Sequence, residues 1–178
     1  SSAASDVYKR QRYERAEEVN RAVLEWLEAK PAKPFFAYIH YMDVHDPYCP
    51  PTEFRRFGED DSGLYDGEIA YFSANFARLF GRLEEKGLLK TTMVILASDH
   101  GEQFLEHGST KHGNSLYNEE VAVPLVIWHP EVSQARRMSV NSRVVDIAPT
   151  ILDAVGEKPL ANGVGRSPDD RREGVENG

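Results

Sequence analysis

The chain has 178 residues, 40% of them hydrophobic and 28% charged, which is enough apolar sequence for one folded domain with a core. Its formal net charge of −8, without a basic stripe, argues against a nucleic-acid-binding protein. The single cysteine, Cys49, excludes an intrachain disulfide framework and leaves the redox compartment open. No apolar run approaches the roughly 18 residues of a membrane span, so we expect no transmembrane segment.

The first half of the chain predicts two helices separated by a strand and a loop. Residues 12–30 show helical spacing of apolar positions and end at prolines. Residues 35–41 are typical of a buried strand, and residues 43–55, which hold three prolines, of a loop. Apolar residues at helical spacing over 69–83 predict a second helix, with Gly87 as its C-terminal cap.

The second half predicts two strands and a final helix. Residues 92–98 form an apolar run of strand length, and residues 121–128 form another. Between them, residues 101–114 are rich in glycine and histidine and predict a loop. The last helix is predicted to begin near Asp146 and to end at Gly156. This order of helices and strands favours a layered α/β domain.

Three polar clusters each follow or end a predicted strand region. They occupy residues 40–48, 99–102 and 107–114 and contain five of the six histidines. Ligands collect outside the carboxyl ends of strands in open α/β sheets, so parallel neighbouring strands would bring the clusters to one edge. Carboxylates, imidazoles and a lysine at one edge suit metal-assisted attack on an anionic ester.

The junction at Asp99 and His100 is the most informative of these clusters. A carboxylate oxygen and an imidazole nitrogen suit a divalent metal ion, and we expect the two side chains within about 5 Å of each other. Gly101 would let the backbone turn sharply after them, and Glu102 adds a second acid that we expect to shape the loop. The alternative interpretation is a strand followed by a hydrogen-bonded polar turn.

Five ordered segments of the chain resemble the sulfatase family of the alkaline-phosphatase-like superfamily. Residues 35–51 resemble the run through an H-D-P-Y-x-P-P motif, and residues 65–83 the helix that begins Y-D-G-E-I-A. Residues 93–102 resemble the metal-binding strand end. Residues 111–127 resemble the H-G-x-S-L-Y-x-E segment that leads into V-P-L, and residues 144–156 the D-I-x-P-T-I-L-D segment.

The resemblance implies an α/β fold with α/β/α layers and a mostly parallel central sheet, alkaline-phosphatase-like and N-terminally truncated. Residues 12–166 would be the C-terminal part of the catalytic domain, between a disordered or non-native tail at 1–11 and a flexible tail at 167–178. The family's C-x-[PA]-x-R motif, whose cysteine becomes formylglycine, is not matched, because Glu53 follows Cys49 where arginine is required. We therefore expect the formylglycine nucleophile upstream of this chain.

The resemblance also implies roles for five residues. Asp99 and His100 are expected to ligate a divalent metal, most simply Ca²⁺, with Mn²⁺ or Zn²⁺ as alternatives because His100 stands where many sulfatases have asparagine. His45 and His112 are expected to be catalytic, with His45 also touching the sulfate and protonating the leaving group. Lys111 is expected to bind substrate, in competition with His112 for the role of stabilising transition-state charge.

The function that follows is metal-dependent hydrolysis of sulfate esters, with a small-molecule or carbohydrate sulfate ester as substrate. The first alternative is a phosphodiester or phosphonate monoester hydrolase, or a phosphoryl transferase, of the same superfamily. An alternative of another class is a non-catalytic metal-binding remnant. The isolated chain is expected to be inactive, and the oligomeric state and localisation stay open. Glu119 and Glu120 are expected only to cap or solvate the turn before the strand at 121–128.

Overall fold

The computed structural model describes residues 14–29, 34–132, 134–138, 141–158 and 163–167, and these fall into two units that divide after Lys90. Residues 1–11 and 168–178, which make up the first predicted tail and most of the second, lie outside the described residues. Ser167 is described; it is buried, and its hydroxyl donates to Asp153 Oδ2 at 2.8 Å.

Two helices dominate the first unit, as predicted. Helix α1 spans Ala16–Glu28 and helix α2 spans Asp61–Glu85. The Asp60 side chain caps α2 by accepting the Gly63 N–H at 3.0 Å. The predicted C-terminal cap at Gly87 is confirmed: its φ is +70°, a left-handed value that glycine adopts without steric cost.

The two helices pack against each other through apolar and amide side chains. Leu79 and Tyr71 of α2 and Ala16 of α1 are buried. Asn20 donates from Nδ2 to the Asn75 carbonyl at 2.8 Å, so the polar groups that enter this interface are paired. Short 3₁₀ turns follow in the loop and after α2, at Thr52–Phe54 and Leu88–Lys90.

The predicted buried strand at residues 35–41 is not formed. The segment has no assigned strand, and the side chains of Phe36 and Tyr38 are 73% and 78% exposed. The described residues of the first unit contain no strand with which it could pair. An apolar run of strand length therefore predicted burial that only a neighbouring strand can provide.

The second unit contains the predicted strand pair, shorter than expected and antiparallel. Strand β1 spans Val94–Ala97, and its partner β4 spans Leu125–Trp128. Ala97 lies opposite Leu125, so the carboxyl end of β1 is beside the amino end of β4. No parallel pair occurs among the described residues, whereas the sequence predicts a mostly parallel sheet.

The segment between these strands is more ordered than the predicted loop. Strands β2, Gln103–Phe104, and β3, Thr110–Lys111, form a short antiparallel hairpin. Helix α3, Asn118–Val121, takes up the start of the predicted third strand. The last predicted helix is confirmed as α4, Ile147–Ala154, after a 3₁₀ turn at Val144–Asp146.

None of the helices in the described part of the chain is both long and apolar enough to cross a bilayer.

Candidate functional site

The antiparallel pairing of β1 and β4 creates the edge on which the candidate site lies. Because the carboxyl end of β1 meets the amino end of β4, the residues after Ala97 approach the residues that precede Leu125. The β2–β3 hairpin, in which Gln103 lies opposite Lys111, brings the cluster at 99–102 to the cluster at 107–114.

Asp99 and His100 lie together just beyond β1, which confirms the predicted spacing. Asp99 Oδ1 is 3.8 Å from His100 Nε2 and accepts the His100 backbone N–H at 3.0 Å. His100 Nδ1 lies 2.8 Å from the Gly101 carbonyl oxygen, which can only accept, so Nδ1 carries the proton. When this imidazole is neutral, its lone pair is on Nε2, the nitrogen that faces Asp99.

His112 lies directly against His100. The two ring centroids are 3.9 Å apart, with 30° between the ring planes. His112 Nδ1 donates to Glu102 Oε1 at 3.0 Å, and the Glu102 side chain is buried. A buried carboxylate on one ring nitrogen fixes the orientation of an imidazole.

The chain turns sharply on both sides of His112. Lys111 is exposed and has a φ of +70°, a region uncommon for residues with a Cβ, and Gly113 has a φ of +79°. The turn sets Lys111 and His112 at the end of the β2–β3 hairpin. Their predicted roles toward substrate stay predictions.

Glu120 is buried, so the prediction that it is solvated before Val121 is wrong, and its carboxylate binds the turn after His112 instead. It is 4% exposed, and its carboxylate accepts four hydrogen bonds. Oε1 accepts from Gln103 Nε2 at 2.7 Å and Ser115 Oγ at 2.8 Å. Oε2 accepts from the backbone N–H groups of Gly113 at 2.6 Å and Asn114 at 3.2 Å. These bonds, that of Ser115 first, lower the pKa of Glu120 below its ordinary value.

Gly101 lies very close to the backbone of the segment that precedes β4, and only a residue without a side chain fits there. A Cβ at this position would lie 2.1 Å from the Glu119 carbonyl oxygen. The Gly101 N–H also donates to the Glu120 carbonyl at 2.8 Å. The sequence predicts a glycine here because the chain turns sharply. In the structure the glycine is needed because its backbone packs against that of Glu119 and Glu120.

His45 belongs to the first unit and is half-buried in the loop between the helices. Its Nδ1 donates to the Asp46 carbonyl at 2.7 Å, and its backbone N–H donates to the Met42 carbonyl at 3.2 Å. These bonds orient the ring locally. That His45 and His112 serve one site stays a prediction.

A buried ion cluster, which the sequence reasoning missed, holds both ends of the His45 loop. Arg15 makes two hydrogen bonds to Glu68, at 3.0 and 2.9 Å, and its Nε is 3.3 Å from Asp43 Oδ1. Glu68 also accepts the Cys49 N–H at 2.9 Å, and Asp43 accepts the Ala16 N–H at 3.1 Å. The loop is therefore anchored at residues 43 and 49, on either side of the histidine.

The charges of this cluster have perturbed pKa values. Burial raises the pKa of Asp43, and the bonds from Ala16 and Arg15 only partly offset it. Burial alone would lower the pKa of Arg15, but hydrogen bonding and the charge of Glu68 hold it above its ordinary value. The sequence signal was available: Glu68 lies three positions before Tyr71, on the buried face of α2.

The donor atoms at Asp99 and His100 fit part of a divalent-metal site. Two ligands of one ion at bond lengths of about 2.0–2.6 Å lie roughly 3–4 Å apart, as these atoms do. The His100 Nδ1–H bond to a backbone carbonyl is the arrangement that metal-bound histidines adopt. Among the described residues no group of three His, Cys, Asp or Glu side chains is arranged to hold an ion, so the pair is a partial ligand set.

Comparison with known proteins agrees with the motifs. The family model Sulfatase matches residues 3–157, most of the chain, and the chain belongs to the sulfatase family. It is 40% identical to arylsulfatase K of Bos taurus over 121 residues, which is 66% of this chain and 22% of that protein. It is 28% identical to an endo-4-O-sulfatase of Bacteroides thetaiotaomicron over 148 residues, 70% of this chain and 29% of that protein.

A solved structure shows the same fold. The phosphonate monoester hydrolase of Silicibacter pomeroyi superposes with a TM-score of 0.73 at 20% identity, covering 90% of this chain and 42% of that one. The predicted alkaline-phosphatase-like α/β class is thereby confirmed at the level of fold. The chain spans 22% and 29% of the lengths of the two curated relatives above.

Proposed function

We propose that these residues form part of a metal-dependent sulfatase that hydrolyses sulfate esters. The observation that carries the proposal is the group of Asp99, His100 and His112. It combines an oxygen and a nitrogen donor 3.8 Å apart with a second imidazole whose ring centroid is 3.9 Å from that of His100. Membership of the sulfatase family supports the same reaction.

In this proposal Asp99 and His100 hold a divalent cation, with Ca²⁺ as the first candidate and Mn²⁺ or Zn²⁺ as alternatives. When bound, such an ion supplies positive charge that polarises an oxygen of the sulfate group. The remaining ligands and the formylglycine nucleophile come from a segment upstream of residue 1. The short span of the chain relative to its relatives supports this division.

The side chains of this chain then bind the sulfate and assist the departing alcohol. His112, oriented by Glu102, and Lys111 would offset negative charge on the sulfate oxygens in the transition state. The S–O bond to the alcohol breaks as the nucleophile bonds to sulfur, and His45 passes a proton to the departing alkoxide oxygen. The anchoring of the His45 loop by Arg15 and Glu68 supports a fixed conformation of the loop that carries this proton donor.

The layered α/β/α arrangement with a mostly parallel sheet belongs to the same proposal. Fold likeness at a TM-score of 0.73 supports it, and so does the position of Asp99 at the carboxyl end of β1. The substrate class we propose is a carbohydrate or small-molecule sulfate ester. A relative that bears the name endo-4-O-sulfatase supports an ester of this kind.

A phosphonate monoester or phosphodiester hydrolase, or a phosphoryl transferase, is the second candidate. The observation that favours it is His100, a nitrogen donor at a position where many sulfatases carry asparagine. A metal-binding remnant without catalysis is the third candidate.

The test is a turnover assay on the protein extended upstream, with an aryl sulfate and an aryl phosphonate as substrates. We expect metal-dependent turnover of the sulfate, reduced at least about 100-fold by His100→Ala. His129→Ala is the matched control, because His129 lies outside the three clusters and should leave turnover unchanged. His45→Ala should slow esters with poor leaving groups most, as loss of a general acid does.

Each other outcome assigns a different function. Preference for the aryl phosphonate would favour the second candidate. A folded, metal-binding but inactive extended protein would favour the third. Turnover by the 178-residue chain alone would refute the upstream nucleophile.

A further inference from the structure

We propose that Glu120 is a positioning residue that holds the turn after His100 and the turn after His112 in a fixed relation. The inference rests on the proposed function, because it assigns a support to the same two histidines. A residue that only stabilised the fold would affect the whole second unit, whereas this role concerns the geometry of the two turns alone.

The carboxylate of Glu120 fixes the turn after His112. Its Oε2 accepts the N–H groups of Gly113 at 2.6 Å and Asn114 at 3.2 Å, the two peptide groups that directly follow the histidine. Gly113 and Asn114 lie beyond the end of β3, so Glu120 Oε2 supplies these N–H groups with an acceptor outside the hairpin ladder.

The backbone of Glu120 fixes the turn after His100. Its carbonyl accepts the Gly101 N–H at 2.8 Å, and the absence of a side chain on Gly101 lets the two backbones touch. One residue therefore bonds to both turns through two different groups. The ring stack of His100 on His112, at 3.9 Å, depends on both turns keeping their places.

The charge of Glu120 is required for this role. Four donors converge on its two oxygens, two of them from Gln103 and Ser115. A glutamine of the same shape has one oxygen, and its amide would point N–H groups at two of the donors. A neutral isostere therefore loses at least one of the bonds in a buried place, since the Ser115 hydroxyl can accept instead of donating but the other three donors cannot.

The experiment is amide hydrogen exchange by NMR on the 178-residue chain and its Glu120→Gln variant. We expect the exchange rates of the Gly101, Gly113 and Asn114 amides to rise from wild type to variant. This rise should be at least about tenfold larger than the rise at other amides of the second unit. Titration with Mn²⁺ is the second readout. We expect the Mn²⁺ concentration needed to broaden the ring signals of His100 and His112 to be several-fold higher in the variant than in the wild type.

Asp146→Asn is the matched control. Asp146 is also a buried carboxylate of the second unit, 1% exposed, and accepts the backbone N–H groups of Arg143 at 2.7 Å and Arg166 at 3.0 Å. It should lower stability without a selective effect on the three amides. The positioning role is refuted if the two variants raise the exchange rates of the three amides equally. It is also refuted if Glu120→Gln leaves these rates unchanged.

Two further outcomes are also decisive. If Mn²⁺ broadens neither histidine of the wild-type chain while Glu120→Gln still opens the three amides, the positioning role stands, and Asp99 and His100 do not bind Mn²⁺ without the proposed upstream ligands. If Glu120→Gln does not fold, Glu120→Asp replaces it, because it keeps the charge but places the carboxylate one methylene farther from the N–H groups of Gly113 and Asn114. A selective rise at the same amides then supports the role, and its absence refutes it.

Discussion

Replacing Glu68 by glutamine removes the negative charge that faces Arg15 inside the first unit, and we expect the free energy of unfolding to fall by about 3 kcal/mol. Glu68 is 0% exposed and accepts two bonds from Arg15 and one from the Cys49 N–H. Glutamine keeps one oxygen, so its amide nitrogen would face a guanidinium N–H in place of an acceptor.

The magnitude follows from the bonds that are lost. A charge-assisted hydrogen bond contributes about 1.5–3 kcal/mol, and a buried donor without an acceptor costs about 1–3 kcal/mol. Removing one partner of a buried ion pair costs about 3–5 kcal/mol when water is excluded. The Arg15 side chain is 34% exposed, so water recovers part of the loss, and the expected value lies near the lower end of that range.

The assay is urea unfolding at neutral pH followed by circular dichroism, a signal to which α1 and α2 contribute most. Glu17→Gln is the matched control, because Glu17 is an exposed glutamate 3.8 Å from Arg78 and its loss should cost under about 0.5 kcal/mol. If Glu68→Gln costs no more than Glu17→Gln, the reasoning about the buried cluster is wrong.

Three further predictions concern single groups. Burial raises the pKa of Tyr41 to about 12, so the tyrosinate absorbance gained by about pH 11 should be nearly the same in Tyr41→Phe as in the wild type; a clearly smaller gain would contradict this. Gly101→Ala should lower the free energy of unfolding by about 1–3 kcal/mol, because its Cβ would lie 2.1 Å from a carbonyl oxygen. Gly81→Ala should raise the free energy of unfolding by up to about 1 kcal/mol, because an added Cβ there would meet nothing within 4 Å outside its own stretch of α2. A change of the same sign in both variants would count against the predicted clash at Gly101. The pKa of Glu120 is lowered in the folded state, so its stabilisation is present above its ordinary pKa of 4.5 and is lost as the pH falls through the lower folded value. Glu120→Gln should therefore flatten the acid side of a stability profile measured by urea unfolding, and an unchanged slope would refute the assignment.

Local features of this protein followed from the sequence, because each depends on neighbours within a turn or a strand. The periodic apolar positions of α2 and the cap at Gly87 predicted the longest helix. Asp99 and His100 are adjacent in the chain and follow an apolar strand, so their proximity needed no distant contact. The ordered motifs identified the family for the same reason, since each is a short run of residues.

Other features were decided by residues far apart in the chain. The pairing of Arg15 with Glu68 spans 53 positions, and although helical spacing places Glu68 on the buried face of α2, no local pattern names Arg15 as its partner. The burial of Glu120 depends on four donors that fold around it. The contact of His100 with His112 depends on the β2–β3 hairpin, in which Gln103 lies opposite Lys111.

Whether a segment forms a strand also depends on distant residues. Residues 35–41 have the composition of a buried strand and β1 has it too, yet only β1 has a partner among the described residues. Apolar composition is a property of the segment itself, whereas backbone hydrogen bonds across a sheet require a second segment at about 4.8 Å. Sequence therefore determined which residues could form the site and the core, and tertiary structure decided which of them meet, because pairing and burial are supplied by distant parts of the chain.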